Sequence, residues 1–468
     1  MSSFASEAGQ PTNGYQHQTI PMINRRTFLT STIGGSLGLY LGGRLTAFGQ
    51  ETPPPIDVAG LFQSKDPALI AFAADVFENC VLKKIHEPEG LLRRRWLQAG
   101  TGDKFYGQWI WDTMFIADLL AILPEKKEVL RDVFQNYWDF QEDWNKTMPE
   151  YAHDMVCCVV NPGGIRKFTQ FPILGWGLER VYKRNGDKEL LRQCLAPLER
   201  YHEWYWRERD VTNVGLVAVG SYSGVLYQAR FESFDKDCSL DDFELTEHPT
   251  RKGPKEGKWY GNVLIPGNTA LLVNSEQALA RLALEIGDHE MAARRQKRID
   301  KATAAMREHM WDEELGVFVS VKRDTLEKIR VGTIGGFMAL KADIPTDAMK
   351  ARMAEVIRSE HWQTPLPVPT VDAKDPRYDP GAYWRGNVWP VTNYQVATGF
   401  AQQGFADIAA DIADKSVANA MKYGVYEFYN SQTKKGGGVP YLGMSGTVLT
   451  MMLDGLTREH LLSVRDKK

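Results

Sequence analysis

Four short segments of the chain mix tryptophan, tyrosine, arginine, amide and carboxylate side chains in a way that core packing does not call for. The first is Phe105-Tyr106-Gly107-Gln108-Trp109-Ile110-Trp111-Asp112, at the start of a helical pattern. A carboxylate among indoles can accept two sugar hydroxyls while the rings form a wall. A carboxylate in a first helical turn also has an ordinary use, facing the helix dipole. The second is Thr169-Gln170-Phe171-Pro172, where the Gln170 amide can both donate to and accept from a hydroxyl. In the third, Tyr383-Trp384-Arg385-Gly386-Asn387-Val388-Trp389-Pro390, Gly386 and Pro390 fix a turn into a helix. Arg385 adds a cation beside the indoles, an arrangement that a structural cation–π pair would also use. The fourth, Tyr426-Glu427-Phe428-Tyr429, runs on to Gly436-Gly437-Gly438. A carboxylate held between aromatics ahead of a flexible glycine loop suits a general base, which needs a fixed position and tuned solvation. A solvated surface glutamate is the plain alternative. The candidate binding set is therefore Tyr106, Trp109, Trp111, Asp112, Gln170, Tyr383, Trp384, Arg385, Gly386 and Trp389, with Glu427 as the candidate base.

The elements that must hold these residues are helices. From about residue 66 apolar side chains recur at helical spacing, beginning with Leu69, Phe72, Ala73, Val76 and Phe77. Further helical stretches are expected near 110–122, 126–145, 171–185, 188–207, 267–287 and 289–311. The rest fall near 331–341, 346–358, 389–403, 405–422 and 443–458. About twelve helices result, several paired by short turns such as Arg184-Asn185-Gly186-Asp187 and Ile286-Gly287-Asp288. Twelve helices in successive pairs can close into a double ring, six inside and six outside. The inner ones touch neighbours on both sides and should be apolar nearly all round, as the stretch from Gly332 to Leu340 is. Strand patterns are few, Leu315 to Val321 being the best. Two long connections, about 208–266 and 362–388, are of a length that usually serves function.

Bulk properties narrow the class. The 468 residues, 43% hydrophobic and 25% charged, describe a globular chain with a large core. A formal net charge of −3 supplies no basic surplus for phosphates, which argues against a nucleic-acid partner. Five cysteines (Cys80, Cys157, Cys158, Cys194, Cys238), odd in number and including an adjacent pair, read as free buried thiols, neither a disulfide framework nor a zinc site. The segment Asn24-Arg25-Arg26-Thr27-Phe28-Leu29 precedes a Gly-rich apolar run from Ser31 to Gly43 and a small-residue end at Ala47-Phe48-Gly49. Residues 1–50 are thus expected to be a twin-arginine signal, 51–65 a linker containing Pro53-Pro54-Pro55, and 66–468 the mature domain. The apolar run is too short to span a bilayer. The expectation is export as a folded protein to the periplasm or beyond, with no stable membrane insertion once the signal is removed.

Taken in order, the four segments resemble the motifs of the glycoside hydrolases grouped around family 63, including mannosylglycerate and glucosylglycerate hydrolases, with trehalases as more distant relatives. Gln277-Ala278-Leu279-Ala280-Arg281-Leu282-Ala283 and Trp311-Asp312-Glu313-Glu314 look like the same group's framework sequence. The resemblance covers roughly residues 66–460. It implies an all-α (α/α)6 toroid and hydrolysis of a small glycoside with inversion: one carboxylic acid protonates the leaving oxygen and a second carboxylate activates water from the opposite face, the two roughly 6.5–9.5 Å apart. Such chemistry requires no cofactor and no metal. The family's base corresponds to Glu427.

Its acid lies in Glu232-Ser233-Phe234-Asp235-Lys236-Asp237-Cys238-Ser239-Leu240-Asp241-Asp242, which departs from the family's Glu-Ser-Gly-x-Asp-Asn-Ser. Anchoring on Glu232-Ser233 and Asp-x-Ser selects Asp237 at the cost of one extra residue. The related form Ser-Gly-Leu-Asp-Asp-Tyr selects Asp241 instead. Crowded acids raise one another's pKa, as a general acid near neutrality requires. Rival readings keep the toroid. A trehalase-like activity would use the same acid and base, and an epimerase or lyase would want histidine or tyrosine proton carriers. A catalytically silent sugar-binding protein would keep the tryptophans and let the acid loop drift.

Overall fold

The computed structural model describes residues 56–222, 245–247 and 259–465. The expected signal at 1–50, the first residues of the linker and the loop aspartates Asp237 and Asp241 lie outside the described residues. The rest of the expected linker, 56–65, is packed. A single helical turn, Val58–Leu61, leads into Phe62–Gln63, which pairs antiparallel with Ser463–Val464, and Leu61 and Phe62 are buried. Two apolar side chains that find a core tie this segment to the other end of the helical body.

Twelve further helices follow among the described residues, in six successive pairs. We number them α1 (Pro67–Cys80), α2 (Ile110–Leu120), α3 (Lys127–Thr147), α4 (Leu174–Asn185), α5 (Lys188–Arg209) and α6 (Pro266–Glu285). Next come α7 (His289–Ala305), α8 (Ile334–Phe337, continued as a 3-10 turn over Met338–Ala342), α9 (Asp347–Ile357) and α10 (Pro390–Gln402). The last two are α11 (Ala406–Tyr423) and α12 (Thr447–Leu453, preceded by the 3-10 turn Gly443–Gly446). The even-numbered helices form a closed inner ring: α2 packs on α4, α4 on α6, α6 on α8, α8 on α10, α10 on α12, and the turn before α12 returns to α2. The odd-numbered helices lie outside it, and this is the (α/α)6 toroid. All eleven residues of α2 are buried, as helices with neighbours on every side require. Outer helices show one apolar face and start where local chemistry dictates: Asp66, Asp187, Asp288 and Thr346 cap α1, α5, α7 and α9 through their side chains.

Sequence spacing locates these helices to within a few residues in most cases. It overstates α8, a single turn prolonged by 3-10 geometry, and α12, which ends at Leu453. It also misses most of the strands. The expected strand over Leu315–Val321 divides into Val317–Phe318 and Ser320–Lys322, which belong to different sheets. Small sheets lie where the chain enters inner helices: β1 (Gln108–Trp109) leads to α2, β2 (Trp259–Leu264) to α6, β3 (Asn387–Val388) to α10, and β4 (Tyr426–Asn430) with β5 (Gly436–Pro440) to α12. Apart from the β4–β5 hairpin their partners are distant in sequence, and two to six residues carry no readable alternation.

The axis of the ring is filled. An aromatic column runs inward from Trp111 through Phe115 to Trp176 and Tyr394, with ring centroids 5.0 to 6.5 Å apart. Beyond it, at the far ends of the inner helices, Arg180 and Arg184 both pair with Asp118 and Asp454, and Tyr394 donates to Asp454 at 2.9 Å. Burial raises the Asp118 carboxyl, but Arg184 and Arg180 outweigh it and bring it down to about 2. Lys341 packs over the Trp176 ring at 4.2 Å and donates to Gln395. The four cysteines within the described residues are free and buried. No helix of the described residues is long and apolar enough to cross a membrane.

Candidate active site

Inner helices are entered from one face of the ring, and the four aromatic segments meet there. Trp111 and Asp112 open α2. Gln170 reaches them from the turn before α4: its Oε1 accepts the Trp111 backbone N–H at 3.0 Å. The amide expected to meet a sugar hydroxyl therefore satisfies one of the unpaired N–H groups at the start of a buried helix with its oxygen. Trp111 is only 3% exposed and packs against Phe171 and Phe115, so it forms the floor of this face and the top of the axial column. Trp109 is half-buried, edge-on to Phe105 at 5.8 Å. Tyr106 lies on the rim, donating its hydroxyl to Glu89 and standing edge-on to Trp96.

Asp112 is the unusual group of this cluster. It is buried, and its Oδ1 has no hydrogen-bond partner among the described residues. A buried acceptor left open costs stability unless a ligand fills it. Burial, with the negative charge of Glu427 second, raises the Asp112 carboxyl to about 7; its own backbone N–H and Lys84 pull the other way. The two carboxylates therefore feel each other across the site. Glu427 is also pushed up by burial and eased down by Tyr383, Val439 and the charge of Lys104. Its negative charge helps to keep the proton on Asp112.

Glu427 lies on β4, paired on one side with β3 (Asn387 opposite Asn430) and on the other with β5. Between Tyr426 and Phe428 the β4–β5 register shifts, so an irregularity of the ladder falls at Glu427. Such bulges re-aim a side chain. The side chain is 2% exposed. Its Oε2 accepts the Val439 N–H at 2.9 Å and its Oε1 accepts the Tyr383 hydroxyl. The glycine run expected to be a flexible loop is strand β5 instead. A side chain at Gly437 would collide with Phe428, and one at Gly438, whose φ is +72°, would stand 2.3 Å from Glu427 Oε2. At these positions Glu427 and its aromatic neighbours occupy the space a side chain would need.

Beside Tyr383, Trp384 stacks on Trp389 at 3.9 Å with 5° between the planes, and Phe428 closes on Trp389 at 5.2 Å. Trp389 is buried beneath Trp384, leaving the half-buried Trp384 as the outer face of the pair. Gly386 has no room for a side chain against Tyr378 and Asp379. The half-buried Arg385 accepts the Asp379 N–H with its carbonyl at 2.7 Å. Sequence reasoning set Phe428 and Gly438 beside Glu427 without seeing that they pack against it, and it missed Val439, which donates to Glu427, and Lys84. The buried amine of Lys84 donates to Gly100 O at 2.6 Å and Thr101 Oγ1 at 3.0 Å, anchoring the loop that carries Lys104, Phe105 and Tyr106. A lone lysine in a sequence carries no mark of burial. Among the described residues no group of three or more His, Cys, Asp or Glu side chains is placed to hold a metal ion.

Comparison with known proteins places this geometry in context. The profile of the family described as "Mannosylglycerate hydrolase MGH1-like glycoside hydrolase domain" matches residues 105–445. Mannosylglycerate hydrolase of Thermus thermophilus is 26% identical over 310 residues, 58% of this chain and 73% of that one. Mannosylglycerate hydrolase MGH1 of Selaginella moellendorffii is 20% identical over 377 residues, 71% and 77% of the respective chains. Among solved structures, a GH63 mannosylglycerate hydrolase of Thermus thermophilus in complex with glucose has a TM-score of 0.63 at 21% identity, covering 81% of this chain and 98% of that one. Neutral trehalase of Saccharomyces cerevisiae has a TM-score of 0.52 at 14% identity, covering 78% and 74%. At these identities the structural likenesses speak for the toroid.

Proposed function

The chain belongs to the mannosylglycerate hydrolase MGH1-like glycoside hydrolases, and from that membership we propose that it hydrolyses a small glycoside of glycerate, mannosyl or glucosyl, with inversion at the anomeric carbon. Glu427 is the general base in this reading. The observation that carries it is the setting of that carboxylate: buried, held on both oxygens by Val439 and Tyr383, and next to an aromatic stack. Asp112 and Trp384 bind the sugar, and the open Oδ1 of Asp112 waits for a sugar hydroxyl. Asp237, with Asp241 as the alternative, is the general acid that protonates the leaving oxygen. The chain's twin-arginine pattern, Arg25-Arg26 ahead of a short apolar run, supports delivery to the periplasm or the medium as a folded enzyme.

The test is hydrolysis of mannosylglycerate, glucosylglycerate, trehalose, kojibiose and nigerose by purified protein, with the first anomer released followed by NMR. Glu427→Gln, Asp237→Asn and Asp241→Asn run beside it. An inverted sugar from a glycerate glycoside that vanishes in Glu427→Gln and in one of the two aspartate variants supports the whole reading. Retention of configuration refutes the two-carboxylate water mechanism. Turnover of trehalose alone moves the substrate to the trehalase-like alternative, and sugar binding without any turnover favours a silent sugar-binding toroid.

A further inference from the structure

Tyr383 was expected among the sugar contacts, and its surroundings fit a different task. Its side chain is 47% exposed, yet the hydroxyl is turned inward onto Glu427 Oε1. The ring is held edge-on by Trp389 at 5.0 Å and 81° and by Phe428 at 5.4 Å and 87°. The backbone beneath it is tied to the same small sheet that carries the base. Asn387 and Asn430 face each other across β3 and β4. Asn387 Nδ2 donates to Ala382 O at 2.7 Å, and Asn430 Nδ2 donates to Pro380 O at 2.8 Å. The turn that bears the phenol and the strand that bears the carboxylate therefore share one rigid frame. Tertiary pinning of this kind is what keeps a reacting group in one geometry.

From this we infer that Tyr383 is a positioning residue for Glu427: through its hydroxyl, and through the asparagine pair that fixes its turn, it sets the plane of the carboxylate and favours the ionised form that can take a proton from water. The inference rests on the reading of Glu427 as the base. Four groups bear on that carboxylate. They are the Tyr383 phenol, the Val439 N–H, Lys104 from the loop before α2, and Asp112 from α2 itself. Burial disfavours the charge, and the phenol is the first of the groups that counter it. A hydrogen bond made to the charged form lowers a carboxyl pKa, and its removal returns the group toward the value burial alone would set. The phenol leaves further lone pairs of the carboxylate for a water, so positioning and catalysis are compatible.

The experiment is a pH titration of Glu427 by difference infrared spectroscopy, its band assigned by loss in Glu427→Gln, in wild type, Tyr383→Phe and Asn430→Ala. The pH profile of kcat/KM is recorded in parallel on the glycoside the enzyme hydrolyses. Tyr383→Phe keeps the ring and its packing. Its carboxylate midpoint and the acid limb of kcat/KM should both move up by about one pH unit, with KM within about twofold. Asn430→Ala, which loosens the Tyr383 turn and the β4–β5 connection whose Gln432 and Thr433 N–H groups it accepts, without touching the carboxylate, should move both the same way by less. An unmoved midpoint with a KM raised tenfold would make Tyr383 a sugar contact. An unmoved midpoint and unmoved KM would make the hydroxyl inert. Full hydrolysis by Glu427→Gln would remove the base assignment and this inference with it, whereas an inactive Glu427→Gln beside an unmoved midpoint sinks the tyrosine's role alone.

Discussion

Replacing Asp112 by asparagine should make the protein more stable at alkaline pH while it loses its substrate. The carboxyl ionises at 3.8 in an unfolded chain and at about 7 in the folded one, where burial and then the charge of Glu427 hold the proton on. Below 3.8 both states are neutral at this position and the asparagine changes little. Between 3.8 and about 7 the folded state binds one more proton than the unfolded state, so native stability falls as pH rises. Above about 7 the folded protein must carry a buried, ionised Asp112. Three units at about 1.4 kcal/mol each give a penalty of up to about 4 kcal/mol that asparagine, neutral throughout, escapes. Relaxation of the surroundings makes about 2 kcal/mol a fair lower expectation. Urea denaturation of wild type and Asp112→Asn at pH 4.5 and pH 8.5 measures it: the asparagine variant should gain at pH 8.5 relative to its standing at pH 4.5. Binding of substrate above about pH 7 should weaken at the same time, because the ionised carboxylate there accepts hydroxyls at both oxygens and an amide has only one acceptor oxygen. That combination is the usual signature of a site that carries strain for function. An asparagine variant less stable at pH 8.5, or a stability difference independent of pH, would refute the assignment of Asp112 as a buried group held neutral by its surroundings.

Two further outcomes follow from the same contacts. Gly438→Ala places a methyl 2.3 Å from Glu427 Oε2 at a left-handed backbone position, so the base must move; kcat should fall about a hundredfold with the circular dichroism spectrum unchanged, and activity within threefold of wild type would show that the base tolerates displacement. Asp118→Ala leaves Arg180 and Arg184 facing Asp454 alone and should cost about 3–5 kcal/mol of unfolding free energy at pH 7. Because the folded-state pKa of Asp118 is lowered to about 2, that contribution is present above 3.8 and fades as pH falls toward 2, and a loss under 1 kcal/mol at pH 7 would mean the ion cluster is dispensable.

The sequence alone determined the ring and the kinds of residue on its working face. Helical spacing, caps and short turns are local properties, and twelve amphipathic or fully apolar helices in pairs have few ways to bury themselves other than a closed double layer. The four aromatic segments were legible for a similar reason: aromatic rings set within a few residues of an amide, a cation or a carboxylate stand out from core composition. What each residue does there was decided by tertiary structure. Gln170 satisfies the start of α2 across 59 residues, Tyr383 donates to Glu427 across 44, and the strand made by the glycine run leaves to Glu427 and Phe428 the space a side chain would need. The short strands escaped notice because they are only a few residues long and several, such as β1 and β3, pair with segments about 40 to 50 residues away. Burial is also a property of the whole assembly: nothing in the letters around Asp112 or Lys84 distinguishes a solvated charge from one whose proton equilibrium is reset by the absence of water.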